Sequence, residues 1–244
     1  MTTILILGSG LPVSAARDWP RAPFDHVLAI NNAWAVRTDW DSMIHPFDFP
    51  PDRCPVAGPG QRIVTEADFV PVQNAFGGFV YAGGTMAFTA GYWALGDLTP
   101  GVIAMLGCDM HYPASGRTHF YGNGTPDPLR PDITLRSLEA KSARLMVLAA
   151  MRGCAVVNLS TGPTRLVFPR AAPARASNCR PLPHDAALVA EALATEDALG
   201  YHVATGRYWE DAARFDPMCI DALDMLWLAA AGMDWRVRTG RRAV

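Results

Sequence analysis

Short apolar runs that end in polar residues recur along the chain and alternate with segments of helical spacing. Continuous apolar runs are typical of strands buried on both faces. The predicted strands are Thr3–Leu7, His26–Ile30, Ser42–Ile44, Arg62–Val64, Val102–Leu106 and residues 155–159. Strands that alternate with helices predict an α/β fold with a Rossmann-like, mostly parallel sheet flanked by helices.

The predicted strands all lie before residue 160, and the last part of the chain contains only predicted helices. Asp132 is the predicted N-cap of the helix that follows it, and five prolines indicate that residues 49–72 are rich in loop around the fourth strand. The predicted helices cover residues 86–95, 134–151, 184–199, 207–214 and 217–231. We therefore expect a nucleotide-binding and catalytic domain at 1–168, a linker or surface loop at 169–183, and a helical extension at 184–244.

Composition narrows the classes of function. Half of the 244 residues are apolar, which is enough for one sizeable core. The net charge of −2 favours neither nucleic acid nor an acidic membrane surface as a partner. Lys141 is the single lysine, which excludes a P-loop lysine and disfavours Schiff-base catalysis. No apolar run suits a signal peptide or a membrane span, and the five cysteines contain no C-x-x-C pair, so a soluble cytoplasmic protein with reduced thiols is expected.

Two strand ends carry candidate nucleotide-binding residues. Gly8-Ser9-Gly10 follows the first strand, where glycines let backbone N–H groups approach a phosphate. The dinucleotide fingerprint needs a third glycine at position 13, which is Val13, so a nucleotide shorter than NAD is expected. Asn31 and Asn32 end the second strand and suit either a simple turn or hydrogen bonds to a base or ribose.

The densest group of chemically active side chains follows the fifth predicted strand. A neutral histidine in this group suits proton transfer from a hydroxyl group. The spacing of the histidines and the acid matches no zinc signature, so no metal is expected. The group comprises Asp109, His111, Tyr112, His119 and Tyr121.

At these residues the chain resembles the bacterial sialyltransferases that use CMP-activated sialic acid and a single histidine base, and their uncharacterised Rossmann-like relatives. The family's Gly-Asn-Gly-Pro-Ser loop is similar to the segment from Gly8 to Pro12, and its nucleotide-binding Asn matches Asn31. Its Thr-Ser-Gly turn resembles residues 83–85, its Ser-Gly-Ile-Asp-Phe-Tyr strand end resembles residues 106–111, and its Ser-His-Tyr-Ile-Gly loop resembles residues 118–122. The order of all five motifs is preserved between residues 4 and 122. The loop before His119 is much shorter than in the family.

The resemblance implies a glycosyltransferase that moves a sialic acid-like or other acidic sugar from a CMP-activated donor to a hydroxyl group of a glycan or lipid-linked glycan. His119 would be the general base, and His111, Tyr112 or Tyr121 would donate a hydrogen bond to the departing phosphate. Asp109 would orient the loop by fixing a histidine tautomer. No cofactor beyond the donor substrate is expected. The implied nucleotide-binding residues are Gly8, Ser9, Gly10, Asn31, Asn32, Gly84, Thr85 and Ser160.

Two other classes stay open. A similar Gly-x-Gly-Pro-Ser and Gly-x-Asp pattern occurs in hydroxymethylpterin diphosphokinase-like enzymes, in which Asp109 would hold Mg²⁺ for ATP and His119 would have no role. The third class is a non-catalytic module that binds a nucleotide or a partner. The leucine faces of the C-terminal helices suit homo-oligomerisation as well as packing within the chain.

Overall fold

The structure is a computed structural model that describes residues 1–113, 115–125 and 127–233. Its six strands form one sheet in the order β4-β3-β2-β1-β5-β6, and every neighbouring pair is parallel. The predicted α/β, Rossmann-like fold is therefore confirmed. The strands are β1 (Thr3–Leu7), β2 (His26–Ile30), β3 (Ser42–Ile44), β4 (Arg62–Val64), β5 (Val102–Leu106) and β6 (Ala155–Asn158).

Alternate residues of the strands face two separate apolar layers. Ile4 and Ile103 contribute to the larger layer, which α-helices cover, whereas Leu5 and Ala104 contribute to the smaller one. Short 3₁₀ helices, such as Leu11–Asp18, cover the smaller layer. Both faces of the central strands are thus buried, which explains why their sequences are continuously apolar.

The helices are α1 (Glu66–Ala75), α2 (Phe79–Ala82), α3 (Met86–Trp93), α4 (Leu138–Met151), α5 (Ala186–Leu199) and α6 (Pro217–Ala230). No helix is predicted within residues 49–72, which are expected to be rich in loop around β4, yet α1 begins inside that segment. A carboxylate oxygen of Asp68 accepts a hydrogen bond from the backbone N–H of Thr65 at 2.9 Å. This capping interaction starts the helix, and the helix tolerates Pro71 in its second turn.

Two of the predicted helices are each divided into two elements in the structure. The helix predicted at 86–95 is α3, which continues as a π-helical turn over Ala94–Leu98. The helix predicted at 134–151 begins later, because Asp132 caps only the 3₁₀ turn Ile133–Leu135. The side chain of Ser137 accepts a hydrogen bond from Ala140 and caps α4 instead.

The C-terminal helices pack against the larger apolar layer of the same chain. Leu223 and Trp227 of α6 are buried there, and Leu188 of α5 is partly buried. Residues 169–183 contain the 3₁₀ helix Pro173–Asn178, whose Ala176 is buried in the smaller layer.

In the part of the chain that the structure describes, no helix combines the length and apolar character needed to cross a membrane. The predicted extension includes residues 234–244, which lie outside the described residues.

The strand order reverses direction at β1. Strands β2, β3 and β4 lie on one side of β1, whereas β5 and β6 lie on the other. In open parallel sheets, ligands bind outside the carboxyl ends of the strands at such a reversal. The ends of β1 and β5 are therefore the place in this fold where a ligand site is expected.

Candidate functional site

A cavity of about 410 Å³ lies at the carboxyl ends of β1 and β5. This volume is in the range of small-molecule sites. All five predicted catalytic side chains line it, as do five of the eight predicted nucleotide-binding residues. The lining comprises residues 8–12, 30–31, 85–87, 107–113, 118–119, 121, 125, 127–128 and 162–163.

The glycines of the first loop serve close packing between two strand ends. The N–H groups of Gly8 and Gly10 donate to the carbonyls of Leu106 and Gly107, each at 2.8 Å. A Cβ atom at Gly8 would lie 2.4 Å from the Gly107 oxygen, and one at Gly10 would lie 2.8 Å from it. The expectation that the amides of this loop meet a phosphate is therefore wrong for Gly8 and Gly10, because both are already bonded. Ser9 lines the cavity, and its carbonyl accepts a hydrogen bond from Phe120.

The N-terminus of α3 opens into the same cavity. Thr85 is the N-cap residue, and its hydroxyl oxygen accepts a hydrogen bond from the N–H of Phe88 at 3.3 Å. Met86 and Ala87 line the cavity, and the first N–H groups of a helix have no acceptor within it. These N–H groups and the helix dipole favour an anion at this end of the cavity.

Gly84 does not line the cavity, contrary to its predicted role. Its N–H donates to the hydroxyl of Thr134 at 2.9 Å, and its carbonyl accepts from Arg130 at 3.1 Å. A Cβ atom at this position would lie 2.7 Å from both the Thr134 hydroxyl and the Tyr208 hydroxyl. The glycine is needed for packing beside α3, so its role is structural.

The two asparagines after β2 have different positions. Asn31 lines the cavity, has a φ of 50° in the left-handed region, and has a buried Oδ1 without a hydrogen-bond partner among the described residues. Asn32 belongs to the 3₁₀ helix Asn31–Val36 and does not line the cavity. Only the first asparagine lines the cavity, so the geometry gives no support to the predicted nucleotide contact of Asn32.

Asp109 lines the cavity, and one of its carboxylate oxygens has no hydrogen-bond partner among the described residues. Its Oδ1 accepts from the side-chain amide of Asn158 at 2.9 Å and lies 3.9 Å from Arg170. Its Oδ2 is buried and has no partner in the part of the chain that the structure describes. No hydrogen bond joins Asp109 to a histidine within that part, so the predicted role in fixing a histidine tautomer is wrong. Asn158, a polar residue inside an apolar run, is the signal in the sequence that could have identified its partner.

Ser160 has a structural role as well. Its hydroxyl oxygen accepts from the N–H of Gly107 at 3.2 Å, and its own N–H donates to the side chain of Asn158 at 2.8 Å. Ser160 does not line the cavity, so the geometry gives no support to its predicted contact with the nucleotide. Through Ser160, these two bonds join the end of β5 to the end of β6.

A tight turn presents His119. The N–H of His119 donates to the carbonyl of Gly122 at 2.9 Å, and the N–H of Gly122 donates back at 3.1 Å. Glycine accepts the φ of 139° at position 122 without strain. The loop that bears the histidine is short, and one backbone hydrogen bond, from the N–H of Phe120 to the carbonyl of Ser9, joins it to the loop that follows β1.

The imidazole of His119 is buried among aromatic rings. Its ring lies 5.1 Å from that of Tyr121 and 5.7 Å from that of Tyr112, and the residue is only 5% exposed. Burial lowers the pKa of His119, because the charged imidazolium loses its hydration. Nδ1 is 2.9 Å from the hydroxyl of Thr118, a partner that sequence reasoning missed although it directly precedes the histidine. A neutral ring at physiological pH is the state that a general base requires.

The other lining side chains set the charge of the site. Burial raises the pKa of Tyr112, so its phenol stays protonated as a hydrogen-bond donor. Burial also raises the pKa of Cys108, which disfavours a reactive thiolate. Asp127 adds a second carboxylate, and the described lining contains neither arginine nor lysine. All five cysteines are free, with Cys108 and Cys154 buried as predicted.

Residues 1–113, 115–125 and 127–233 contain no group of three or more His, Cys, Asp or Glu side chains arranged to hold a metal ion. Comparison with protein-family models, curated proteins and solved structures finds no significant match to this chain. Membership of a sialyltransferase-like family therefore stays a prediction from the sequence motifs.

Proposed function

We propose that this protein is a glycosyltransferase that moves a sialic acid-like or other acidic sugar from a CMP-activated donor to a hydroxyl group of an acceptor. His119 is the general base in this proposal. The observation that carries it is that this buried histidine, whose pKa is lowered, lines the same cavity as the N-terminus of α3 and Asp109. One carboxylate oxygen of Asp109 has no hydrogen-bond partner among the described residues. The cavity also lies at the reversal of strand order, where parallel sheets bind ligands.

The polar groups of the cavity suit a nucleoside monophosphate. The N–H groups at the start of α3 are suited to one phosphate group. Asp109 Oδ2 and Asn31 Oδ1 are buried acceptors that need donors, and the hydroxyl and amino groups of a cytidine moiety supply them. A lining without arginine or lysine among the described residues offers little to a triphosphate. These features together favour CMP over ATP as the nucleotide.

The proposed reaction uses the side chains around His119. As the bond between the anomeric carbon and the phosphate oxygen breaks, the acceptor oxygen forms a new bond to that carbon. The acceptor proton passes to His119, and CMP leaves with the electron pair of the broken bond. His111, Tyr112 and Tyr121 line the cavity and supply hydrogen-bond donors for the charge that develops on the phosphate.

Calorimetric titration with CMP, CDP, UDP and ATP, with and without Mg²⁺, tests the nucleotide. A transferase assay with a CMP-activated acidic sugar then compares the parent with His119→Ala. We expect CMP binding in both proteins and a turnover about 10²–10⁴-fold lower in the variant, since general-base catalysis contributes this much. His202→Ala is the matched control, because His202 lies outside the cavity. Near-full activity of His119→Ala, or loss of parent activity in EDTA, would contradict the mechanism.

One observation favours a second candidate, a Mg²⁺- and ATP-dependent diphosphokinase. The unpartnered oxygens of Asp109 and Asn31 are of the type that Mg²⁺ prefers. The same titration separates the two functions: Mg²⁺-dependent binding of ATP without binding of CMP would support the diphosphokinase. Binding of none of the four nucleotides would support a non-catalytic module.

A further inference from the structure

The hydroxyl group of Thr118 makes three hydrogen-bond contacts. It lies 2.9 Å from Nδ1 of His119, 3.1 Å from the carbonyl oxygen of Gly124 and 2.8 Å from the N–H of Gly124. The two contacts to Gly124 close the loop that holds the histidine. Among the described residues, the Thr118 hydroxyl is the one hydrogen-bond partner of a ring nitrogen of His119.

The chemistry of a hydroxyl group decides the direction of each bond. A hydroxyl has one proton to donate and two lone pairs to accept with. The Gly124 N–H takes one lone pair, and the Gly124 carbonyl, which can only accept, takes the proton. With the hydroxyl proton on the Gly124 carbonyl, the remaining lone pair is left for His119 Nδ1, which fills it by carrying a proton. A proton on Nε2 instead would require the hydroxyl to turn its own proton to Nδ1 and to give up its bond to the Gly124 carbonyl.

We propose that Thr118 is a positioning residue that fixes His119 as the Nδ1–H tautomer and so leaves the lone pair of Nε2 as the base. The aspartate expected for this task from the sequence is bonded to Asn158 instead. Thr118 fixes the tautomer in place of the aspartate, because the backbone of Gly124 orients its hydroxyl group. This inference rests on the proposed function for its catalytic meaning, whereas the tautomer itself is a property of the fold.

The surroundings of the ring support a single fixed orientation. A Cβ atom at Gly124 would lie 2.9 Å from His119 Nδ1, so the backbone at 124 packs directly on the ring. The titratable groups that pack on the imidazole are the phenols of Tyr112 and Tyr121. Neither phenol is a salt-bridge partner of the ring, so the threonine hydroxyl is the group that distinguishes the two nitrogens.

Nitrogen NMR of the imidazole rings tests the tautomer without any substrate. The chain has six histidines, and the spectrum of His119→Ala assigns the signal of interest by its loss. We expect the parent and Thr118→Ser to have a protonated Nδ1 and an unprotonated Nε2 at neutral pH. Thr118→Val keeps the shape of the side chain without the hydroxyl and should shift the proton towards Nε2. An Nε2–H signal in the parent, or the same tautomer in Thr118→Val, would overturn the inference.

Kinetics provide the second arm. We expect Thr118→Val to lower kcat at least about tenfold, but less than His119→Ala does. The KM for the nucleotide sugar should not change, and Thr118→Ser should restore turnover. Loss of activity in His119→Ala together with full activity in Thr118→Val would reject the positioning role and leave the proposed function intact. Absence of transferase activity in the parent, together with the expected NMR tautomer, would reject the function and leave the tautomer assignment intact. A thermal melt of each variant checks the fold.

Discussion

The backbone N–H of Phe120 donates to the carbonyl of Ser9 at 3.0 Å. This bond ties the loop that presents His119 to the loop that follows β1. The first loop is in turn bonded to the end of β5 through Gly8 and Gly10. The candidate base is therefore held by the backbone of the sheet, and its position depends on the close approach of these glycines.

Replacing Gly8 by Ala should destabilise the protein by about 1–3 kcal/mol, the usual cost of overpacking a rigid site. The added Cβ atom would lie 2.4 Å from the Gly107 oxygen, a backbone atom that cannot swing away. Gly162→Ala is the matched control in the same cavity, because its Cβ atom would meet nothing within 4 Å. Urea unfolding of both variants checks this, and equal losses of stability would contradict it.

Replacing Asp109 by Asn should raise the Kd of the nucleotide about 10–100-fold, because a hydrogen bond to a charged acceptor is lost. The amide keeps the shape of the carboxylate and can still accept from Asn158. Asp127→Asn provides the control, since Asp127 also lines the cavity but is exposed and bonded to Arg130. Calorimetric titration measures both variants. A similar loss of affinity in Asp127→Asn would mean that the total negative charge of the cavity, and not Oδ2 of Asp109, governs nucleotide binding.

The pH dependence of kcat/KM should have its acid limb below the ordinary histidine pKa of about 6.5. Burial lowers the pKa of His119, so the ring stays neutral and basic as the pH falls past that value, and activity declines only as the ring finally takes a proton. Initial rates of the proposed transferase reaction between pH 4.5 and 8 measure the limb. The residual activity of His119→Ala should lack it. A limb above pH 6.5 would contradict the assignment.

Glu196→Gln should destabilise the protein by about 3–5 kcal/mol without changing nucleotide affinity. Glu196 binds the guanidinium of Arg144 through both carboxylate oxygens and accepts from Trp227, and all three side chains are buried. The substitution leaves the charge of Arg144 without its counter-ion. Asp221→Asn breaks the more exposed pair with Arg136 and should cost less than about 1 kcal/mol. Denaturant unfolding compares the two, and similar costs would refute the distinction.

Much of the fold follows from local pattern. Five of the six strands have the predicted bounds, because a strand buried on both faces needs a continuous apolar run and a polar stop. No helix is predicted at α1, because the five prolines within residues 49–72 indicate loop more strongly than the capping pair Thr65 and Asp68 indicates a helix. Likewise, Asp132 and Ser137 are both good caps in sequence, and only the packing of α4 selects the second.

The sequence by itself determined the parallel α/β class and the cluster of His119, His111, Tyr112, Tyr121 and Asp109, since both depend on residues that are close along the chain. The tertiary structure decided which groups are free to meet a ligand. The amides of Gly8, Gly10 and Gly84 and the hydroxyl of Ser160 are bonded to residues far away in the chain. Oδ2 of Asp109 and Oδ1 of Asn31 have no such partner among the residues that the structure describes. A hydrogen-bonding group can serve a ligand only if no other part of the fold has already satisfied it, and those long-range partners are fixed by strand order and packing.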